Sequence, residues 1–306
     1  MTVVSIIGAS GFIGSHLVDT LLVRGYEVRA ISRTLPGLLS KSSLKSTSLS
    51  FFSLDIQNYE CLKRAVSGSD YVFHLACSTL PASSNLDPRS DVSVNLLGTL
   101  NLLDICVEED IKRLVVISSG GTVYGVPRFV PITEDHPTNP ICSYGITKLA
   151  IEKYVSLYNK LYGLNGIILR VSNPYGERQR FDSSQGVISI FLRQALQSHP
   201  LKILGDGSSV RDYLYISDLI DSLHAAMLYE GSEYLFNIGS GNGLSLIDLV
   251  NEIENLLERS IEVVYAQKRD FDVPSNILSI SKAKSCLSWV PKVSISEGLV
   301  RLRQHL

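Results

Sequence analysis

Residues 3–171 alternate short apolar runs with amphipathic stretches, and no other feature constrains the chain as strongly. The runs Val3–Ile7, Glu27–Ser32, Leu49–Ile56, Tyr71–Ala76, Arg113–Ser119 and Gly166–Val171 are rich in Val, Ile, Leu, Tyr and Phe. Near-continuous apolar runs of this length suit strands covered on both faces. Between them, Phe12–Arg24 sets Ile13, Leu17, Val18, Leu21 and Leu22 at helical spacing, and Val92–Glu109 does the same with Val94, Leu97, Leu100, Leu103 and Val107. Strands alternating with helices require right-handed crossovers, so the pattern predicts an α/β fold with a doubly wound parallel sheet. After Asn173 the rhythm changes. Helical segments Gly186–Ser198, Ser217–Tyr229 and Ser245–Arg259 alternate with Lys202–Leu204, Tyr234–Ile238 and Ile261–Ala266. The division expected is residues 1–173 as the main, dinucleotide-binding domain. Residues 174–306 are expected to form mainly a smaller substrate-binding lobe, with some segments returning to the main sheet. The Ser/Lys-rich stretch Ser40–Ser50 reads as a surface loop.

Composition excludes several partner classes. Across 306 residues the formal net charge is −2, so no global basic field draws in nucleic acid or acidic lipid, and a phosphate-bearing ligand must be held by local groups. Cys61, Cys77, Cys106, Cys142 and Cys286 are odd in number and lack C-x-x-C spacing, which fits a reducing cytosol better than a disulfide framework or a zinc site. The six histidines show no ligand spacing, so no metal is expected. The first residues run straight into Val3–Ile7 without a basic region or cleavage site, and no run approaches the roughly 18 apolar residues of a membrane span. These readings predict a cytoplasmic protein without a membrane partner.

The turn Gly8-Ala9-Ser10-Gly11-Phe12-Ile13-Gly14 links the first strand to the first helix. Gly8 permits the tight turn, Gly11 lets backbone amides approach a pyrophosphate, and Gly14 lets the helix pack closely on the sheet. The helix N-terminus adds partial positive charge, as dinucleotide binding needs. At the end of the second strand Ser32-Arg33 replaces the acidic residue that would meet a free ribose 2′-hydroxyl. A hydroxyl and a guanidinium suit the 2′-phosphate of NADP, although Arg33 as a solvated cation stacking on adenine leaves NAD open. Asp55-Ile56, ending the third strand, is placed to meet adenine. Tyr144 and Lys148 stand four apart on one helix face, where the ammonium, with the positive ring of a nicotinamide nearby, is expected to depress the phenol pKa and let Tyr144 exchange a proton with a substrate hydroxyl. Ser118-Ser119 ends the fifth strand near the same point.

With these residues the chain resembles the extended short-chain dehydrogenase/reductase family, in its nucleotide-sugar epimerase, dehydratase and reductase branch. The resemblance runs through Gly8–Gly14, Asp55-Ile56, His74-Leu75-Ala76, Asn95 with Gly98-Thr99, Ser118–Gly125 and Tyr144/Lys148. It continues in Asn173-Pro174-Tyr175-Gly176, Arg211-Asp212-Tyr213 and Arg269-x-x-Asp272. It implies a Rossmann sheet that binds NAD or NADP, with Leu75, Ala76 and Asn95 lining the cofactor site beside Gly8, Gly11, Phe12, Ile13, Gly14 and Ser118. It further implies that Asn173 and Arg211 bind a nucleotide-sugar diphosphate and that Arg269 and Asp272 meet its phosphate and ribose. Family members frequently dimerise through a four-helix interface, which Val92–Glu109 and Tyr144–Tyr162 could supply, so a homodimer is expected.

One departure matters. The family usually carries a hydroxyl four residues before the Tyr of Val-Tyr-Gly, and that position here is Gly120, so the hydroxyl comes from Ser119, which lies one residue away and is favoured, or from Thr122, or is missing. Gly120-Gly121 also lack the acidic pair that elimination needs, which disfavours a dehydratase. Asn276, where hexose-restricted members often place a bulky Tyr, is expected to leave room beside the sugar for an N-acetyl group. The leading expectation is a nucleotide-sugar 4-epimerase acting on a UDP-hexose or UDP-N-acetylhexosamine. The alternatives are an NADPH-dependent reductase of a nucleotide-linked 4-keto-6-deoxy sugar, which Ser32-Arg33 favours, and a non-catalytic dinucleotide-sensing protein.

Overall fold

Seven strands, every neighbouring pair parallel, form the main sheet of the computed structural model, which describes residues 1–34, 37–179, 186–267 and 273–306. They are β1 (Val3–Ile7), β2 (Glu27–Ser32), β3 (Leu49–Ser53), β4 (Tyr71–His74), β5 (Arg113–Ser119), β6 (Gly166–Val171) and, from far along the chain, β10 (Leu235–Ile238). Their order is β3-β2-β1-β4-β5-β6-β10. The register aligns Ile7 with both Ile31 and His74, and Ser119 with Val171, so the carboxyl ends of the central strands open on one edge. All six residues of β6 are buried, as a strand covered on both faces requires.

On one side the sheet is covered by α1 (Phe12–Val23), and on the other by α2 (Tyr59–Val66), α5 (Gly98–Glu108) and α6 (Ser143–Tyr162). Two single-turn helices, α3 (Pro81–Ser84) and α4 (Pro88–Asp91), precede α5, and between α4 and α5 the chain is π-helical over Val92–Leu97. That segment alters the expected face. The wider winding, which bonds each residue to the fifth beyond it, rotates the remainder of the helix about its axis. The buried side of α5 is therefore Gly98, Thr99, Leu102, Leu103, Ile105 and Cys106, while Leu97 is exposed. The continuous helical run Pro88–Glu108 is long and apolar enough, by length and composition alone, to cross a membrane. Here its inner side chains lie in the core beside the sheet.

Beyond β6 the chain forms β7 (Asn173–Tyr175), α7 (Val187–Leu196), β8 (Leu201–Leu204), β9 (Val210–Tyr215), α8 (Ile216–Leu228) and β11 (Gly243–Ser245). It ends with α9 (Leu246–Leu257), β12 (Val263–Ala266), β13 (Ser275–Asn276), α10 (Ser281–Leu287) and α11 (Ile295–Arg303). Strand β9 is the hub, pairing with β7, β11 and β13, while β8 and β12 pair separately. The stretch Ser40–Ser50 is tied down more than a free loop would be, since Ser40 bonds through its amide and hydroxyl to Asp19.

A buried ion pair fastens α6 to the sheet. Arg170 on β6 meets Glu152 on α6 at 2.6 Å, with both side chains only 4% exposed. Ser118 on β5 donates to the same carboxylate at 2.5 Å, and the guanidinium lies 4.7 Å from the centroid of the Tyr124 ring. Burial would lower the Arg170 pKa, but the bonds and charge of Glu152 outweigh it and hold the guanidinium above its ordinary value. Removing one partner strands the other charge away from water, at a cost of about 3–5 kcal/mol. Arg170→Ala is accordingly expected to lose about that much stability in a urea or guanidinium titration. Arg170→Ala combined with Glu152→Leu should recover part of it.

Candidate active site

A cavity of about 630 Å³ lies along the carboxyl edge of the central strands and extends toward β9. Its wall includes Gly8, Gly11, Phe12, Ile13 and Gly14 of the glycine turn, Leu75 after β4, Ser118 and Ser119 ending β5, Thr122, Tyr144, Asn173 and Arg211. Residues spread over most of the chain thus face one space.

The turn fits a dinucleotide pyrophosphate. Gly8 has φ +93°, and a Cβ there would stand 2.7 Å from the Ala76 amide nitrogen; at Gly14 it would stand 2.2 Å from the Gly8 carbonyl oxygen. Either substitution would push the strand–helix junction apart. Gly11 occupies the N-cap of α1 with no side-chain cap, and the first turn carries no acidic residue, so the leading amides keep their partial positive charge for an anion. Gly8 donates to Ile31 at 2.8 Å, which seats the turn against the end of β2.

Tyr144 sits in the first turn of α6, partly buried, with Lys148 one turn on and its ammonium 5.8 Å from the ring centroid. Lys148 is buried and donates to the Ile117 carbonyl of β5 at 2.9 Å. The protein groups alone do not depress the phenol. Burial, reinforced by Cys77, Cys142 and Asp91, pushes the Tyr144 pKa up, while a hydrogen bond with Ser119 pulls it down. An ammonium engaged with a backbone carbonyl does not overcome the desolvation of the ring. Ser119 is therefore the hydroxyl beside the phenol. Thr122 also lines the cavity, but its hydroxyl is buried with no partner among the described residues. At Gly120 a Cβ would meet Leu278 at 2.6 Å, so the slot of the missing family hydroxyl is filled by an apolar side chain.

Other expected site residues are placed differently. Ser32 spends its hydroxyl on the Thr34 carbonyl at 2.8 Å, and neither it nor exposed Arg33 belongs to the cavity wall, although β2 ends beside the glycine turn. Strand β3 stops at Ser53, leaving Asp55-Ile56 in the turn beyond it, where Asp55 accepts from the Gln57 amide at 2.9 Å. Ile56 packs against Gly98, and Ala76 abuts Gly8 rather than lining the cavity. The Asn95 side chain turns to protein partners, accepting from the Ser78 amide at 2.9 Å and donating to Asp91 at 2.9 Å. Asn276 is corrected most. It is buried, donates to the Gly120 carbonyl at 3.0 Å, and supports the loop under the cavity rather than bordering the space itself. Asn173 donates to the Asp212 carbonyl at 3.0 Å and Arg211 to the Val210 carbonyl at 2.9 Å, both on the cavity wall. Arg269 and Asp272 lie outside the described residues. Pro81 and Lys202 also line the cavity and carry no motif spacing to reveal them, while Tyr175 and Tyr213, expected only as parts of motifs, prove to lie on its wall as well.

A family model described as the NAD dependent epimerase/dehydratase family matches residues 4–239. The UDP-glucose 4-epimerase of Mycolicibacterium smegmatis is 33% identical over 297 residues, covering 96% of this chain and 95% of that protein. The dTDP-4-dehydro-6-deoxyglucose reductase of Escherichia coli is 34% identical over 305 residues, covering 98% and 96%. The solved UDP-glucose 4-epimerase from Thermotoga maritima, with UDP-glucose, superposes with a TM-score of 0.93 at 34% identity and covers 99% of this chain and 98% of that one.

Below the Asn95 bonds, His74 is buried with Nε2 2.8 Å from the Thr99 hydroxyl, which itself donates to the Asn95 carbonyl, and Nδ1 has no partner among the described residues. Burial, aided by the Lys148 charge, pushes the His74 pKa down from 6.5 to about 3. The folded state thus keeps the ring neutral where the unfolded chain would protonate it. The associated stability is fully present above 6.5 and is lost as the pH falls below that value. Between about pH 6.5 and pH 5 this single group is expected to remove about 2 kcal/mol of unfolding free energy, measured by urea titration. In His74→Asn that part of the pH slope should be absent.

Proposed function

The chain belongs to the NAD-dependent epimerase/dehydratase family, and from that premise we propose that it is a nucleotide-sugar 4-epimerase acting on a UDP-hexose or UDP-N-acetylhexosamine. The observation that carries this reading is one continuous cavity with the Tyr144 phenol and Ser119 hydroxyl between an uncapped helix N-terminus and Asn173 with Arg211. One end suits a dinucleotide pyrophosphate and the other a sugar-nucleotide diphosphate, which needs local donors in a chain of net charge −2.

A bound nicotinamide supplies the acceptor and donor for hydride at sugar C4. Tyr144 takes the proton of the C4 hydroxyl, Ser119 bonds to the same oxygen, and Lys148 holds α6 to β5 so that the phenol stays at the cavity wall. Asn173 and Arg211 would retain the diphosphate while the 4-keto sugar turns over, and Tyr144 would return the proton to the C4 oxygen. Burial favours the protonated phenol, and positive charge, which an oxidised nicotinamide would supply when bound, would favour the phenolate that accepts the substrate proton.

The second reading is a reductase of a nucleotide-linked 4-keto-6-deoxy sugar using NADPH. Similarity to the Escherichia coli reductase at 34% identity favours it, as do Ser32 and Arg33 at the end of β2. A homodimer through α5 and α6 is proposed as well, supported by exposed Leu97, Leu157 and Leu161.

Incubating the purified protein with a panel of UDP-, dTDP- and GDP-sugars, with and without NAD or NADPH, tests the assignment. Interconversion of C4 epimers without net cofactor consumption is expected, whereas stoichiometric NADPH oxidation would replace the first reading by the second. Tyr144→Phe should lower kcat by about 10²–10⁴-fold. Ser119→Ala should cost more than Thr122→Val, and equal losses would remove Ser119 from its proposed role.

A further inference from the structure

Asp91, the last residue of α4, is fully buried and collects four hydrogen bonds. Thr79 and Asn95, the latter at 2.9 Å, donate to Oδ1, while Ser143 at 2.9 Å and Thr147 at 2.7 Å donate to Oδ2. The two oxygens face different parts of the molecule. Ser143 precedes Tyr144 in the first turn of α6, and Thr147 lies one turn beyond Ser143. Thr79 belongs to the loop after β4, which Asn95 also holds through Ser78. The same segment caps α6 from outside. Asn85 accepts from the Ser143 amide and Ser84 from the Tyr144 amide, each at 2.9 Å, whereas the helix's own N-cap residue, Cys142, provides no side-chain bond.

We propose that Asp91 is the positioning residue for Tyr144: its carboxylate locks the first turn of α6 to residues 78–95, so that the phenol meets Ser119 at the cavity wall. The proposal rests on Tyr144 being the proton-transfer group. Burial alone would raise the Asp91 carboxyl, but its donors, led by Thr79 and Thr147, outweigh this and hold it below the usual carboxylate range, so it stays charged. That charge is felt by the phenol. Beside the burial of the ring, the groups acting on Tyr144 are Cys77 after β4, Ser119 of β5, Cys142 and Lys148 on either side of it along the chain, and Asp91 itself, which raises the phenol pKa.

Two substitutions separate geometry from charge. Asp91→Ala removes all four acceptor contacts. Asp91→Asn keeps Oδ1 for Thr79 and Asn95 and turns its amide hydrogens toward Ser143 and Thr147, whose hydroxyls can reverse and accept. Both variants of the full chain are assayed with the UDP-sugar that the unsubstituted protein turns over fastest, alongside amide hydrogen exchange over residues 143–148. Asp91→Ala is expected to lose about 10²-fold in kcat with KM changed less than about threefold, and to exchange faster at those amides. Asp91→Asn should keep kcat within about fivefold at its optimum and show the Tyr144-dependent limb of the pH profile moved to lower pH. Unchanged kcat or unchanged exchange in Asp91→Ala overturns the proposal, as does an unmoved limb in Asp91→Asn. Full activity in Tyr144→Phe would instead overturn the functional reading, and the exchange comparison would still decide whether Asp91 orders α6.

Discussion

Strand order reverses between β1 and β4, and the placement of every group at the cavity depends on that reversal. Strands added after β1 run outward through β2 and β3, and those from β4 onward run the other way. Their crossover helices therefore leave on opposite faces, and a crevice opens between the turn after β1 and the loop after β4. Gly8 closes its floor by touching the backbone of residues 75 and 76, a contact that no larger residue permits. A parallel sheet sends all its carboxyl ends to one edge, so Ser119, the glycine turn and Asn173 converge without any local motif instructing them to.

Helix α6 carries the reactive phenol and is fixed to this edge at successive levels. Its first turn is bound by Asp91, Ser84 and Asn85, its second by Lys148 to the Ile117 carbonyl, and its third by Glu152 to Ser118 and Arg170. Lys148 and Glu152 are one turn apart and grip the same strand. This distribution explains why a buried charge pair is retained where apolar packing would be at least as stable. Directional bonds fix the rotation of a helix about its axis, which a greasy face alone leaves adjustable by a fraction of a turn.

Much of the scaffold was legible because strands buried on both faces leave continuous apolar runs, as β5 and β6 do. Their ends were less so. Leu54 and Ile56 extend the run of β3 in composition, yet they pack beside the core after the ladder has stopped at Ser53. On the helical run before β5, Leu100, Leu103 and Val107 pack in the core as their spacing suggests, but Leu97 is exposed because a π-helical segment inserts extra winding that spacing rules for an α-helix do not contain. Strands β7, β9, β11 and β13 span two to six residues with mixed polarity, so their pairing around β9 has no periodic signature. Residue identity pointed to Tyr144, Lys148, Asn173 and Arg211, but the use of Asn95 and Asn276 depended on partners up to 156 positions away. An amide side chain serves a ligand and a neighbouring backbone equally well, and only the fold decides between them.

The Gly120 departure shows how such a distant partner reshapes chemistry. Leu278 occupies the volume into which a side chain at 120 would grow, and Asn276, two residues earlier, holds the Gly120 carbonyl. The Ile132–Leu278 bridge fixes the approach of that strand from below. A hydroxyl restored at 120 would thus have to displace a buried leucine, whereas Ser119 already stands on the cavity wall with Tyr144 at the end of β5. Because Ser119 is in ladder register with Val171 and Ser118 is pinned by Glu152, the backbone that presents this hydroxyl is held by the sheet itself. Gly121 and Thr122 of the following loop then have only to line the cavity.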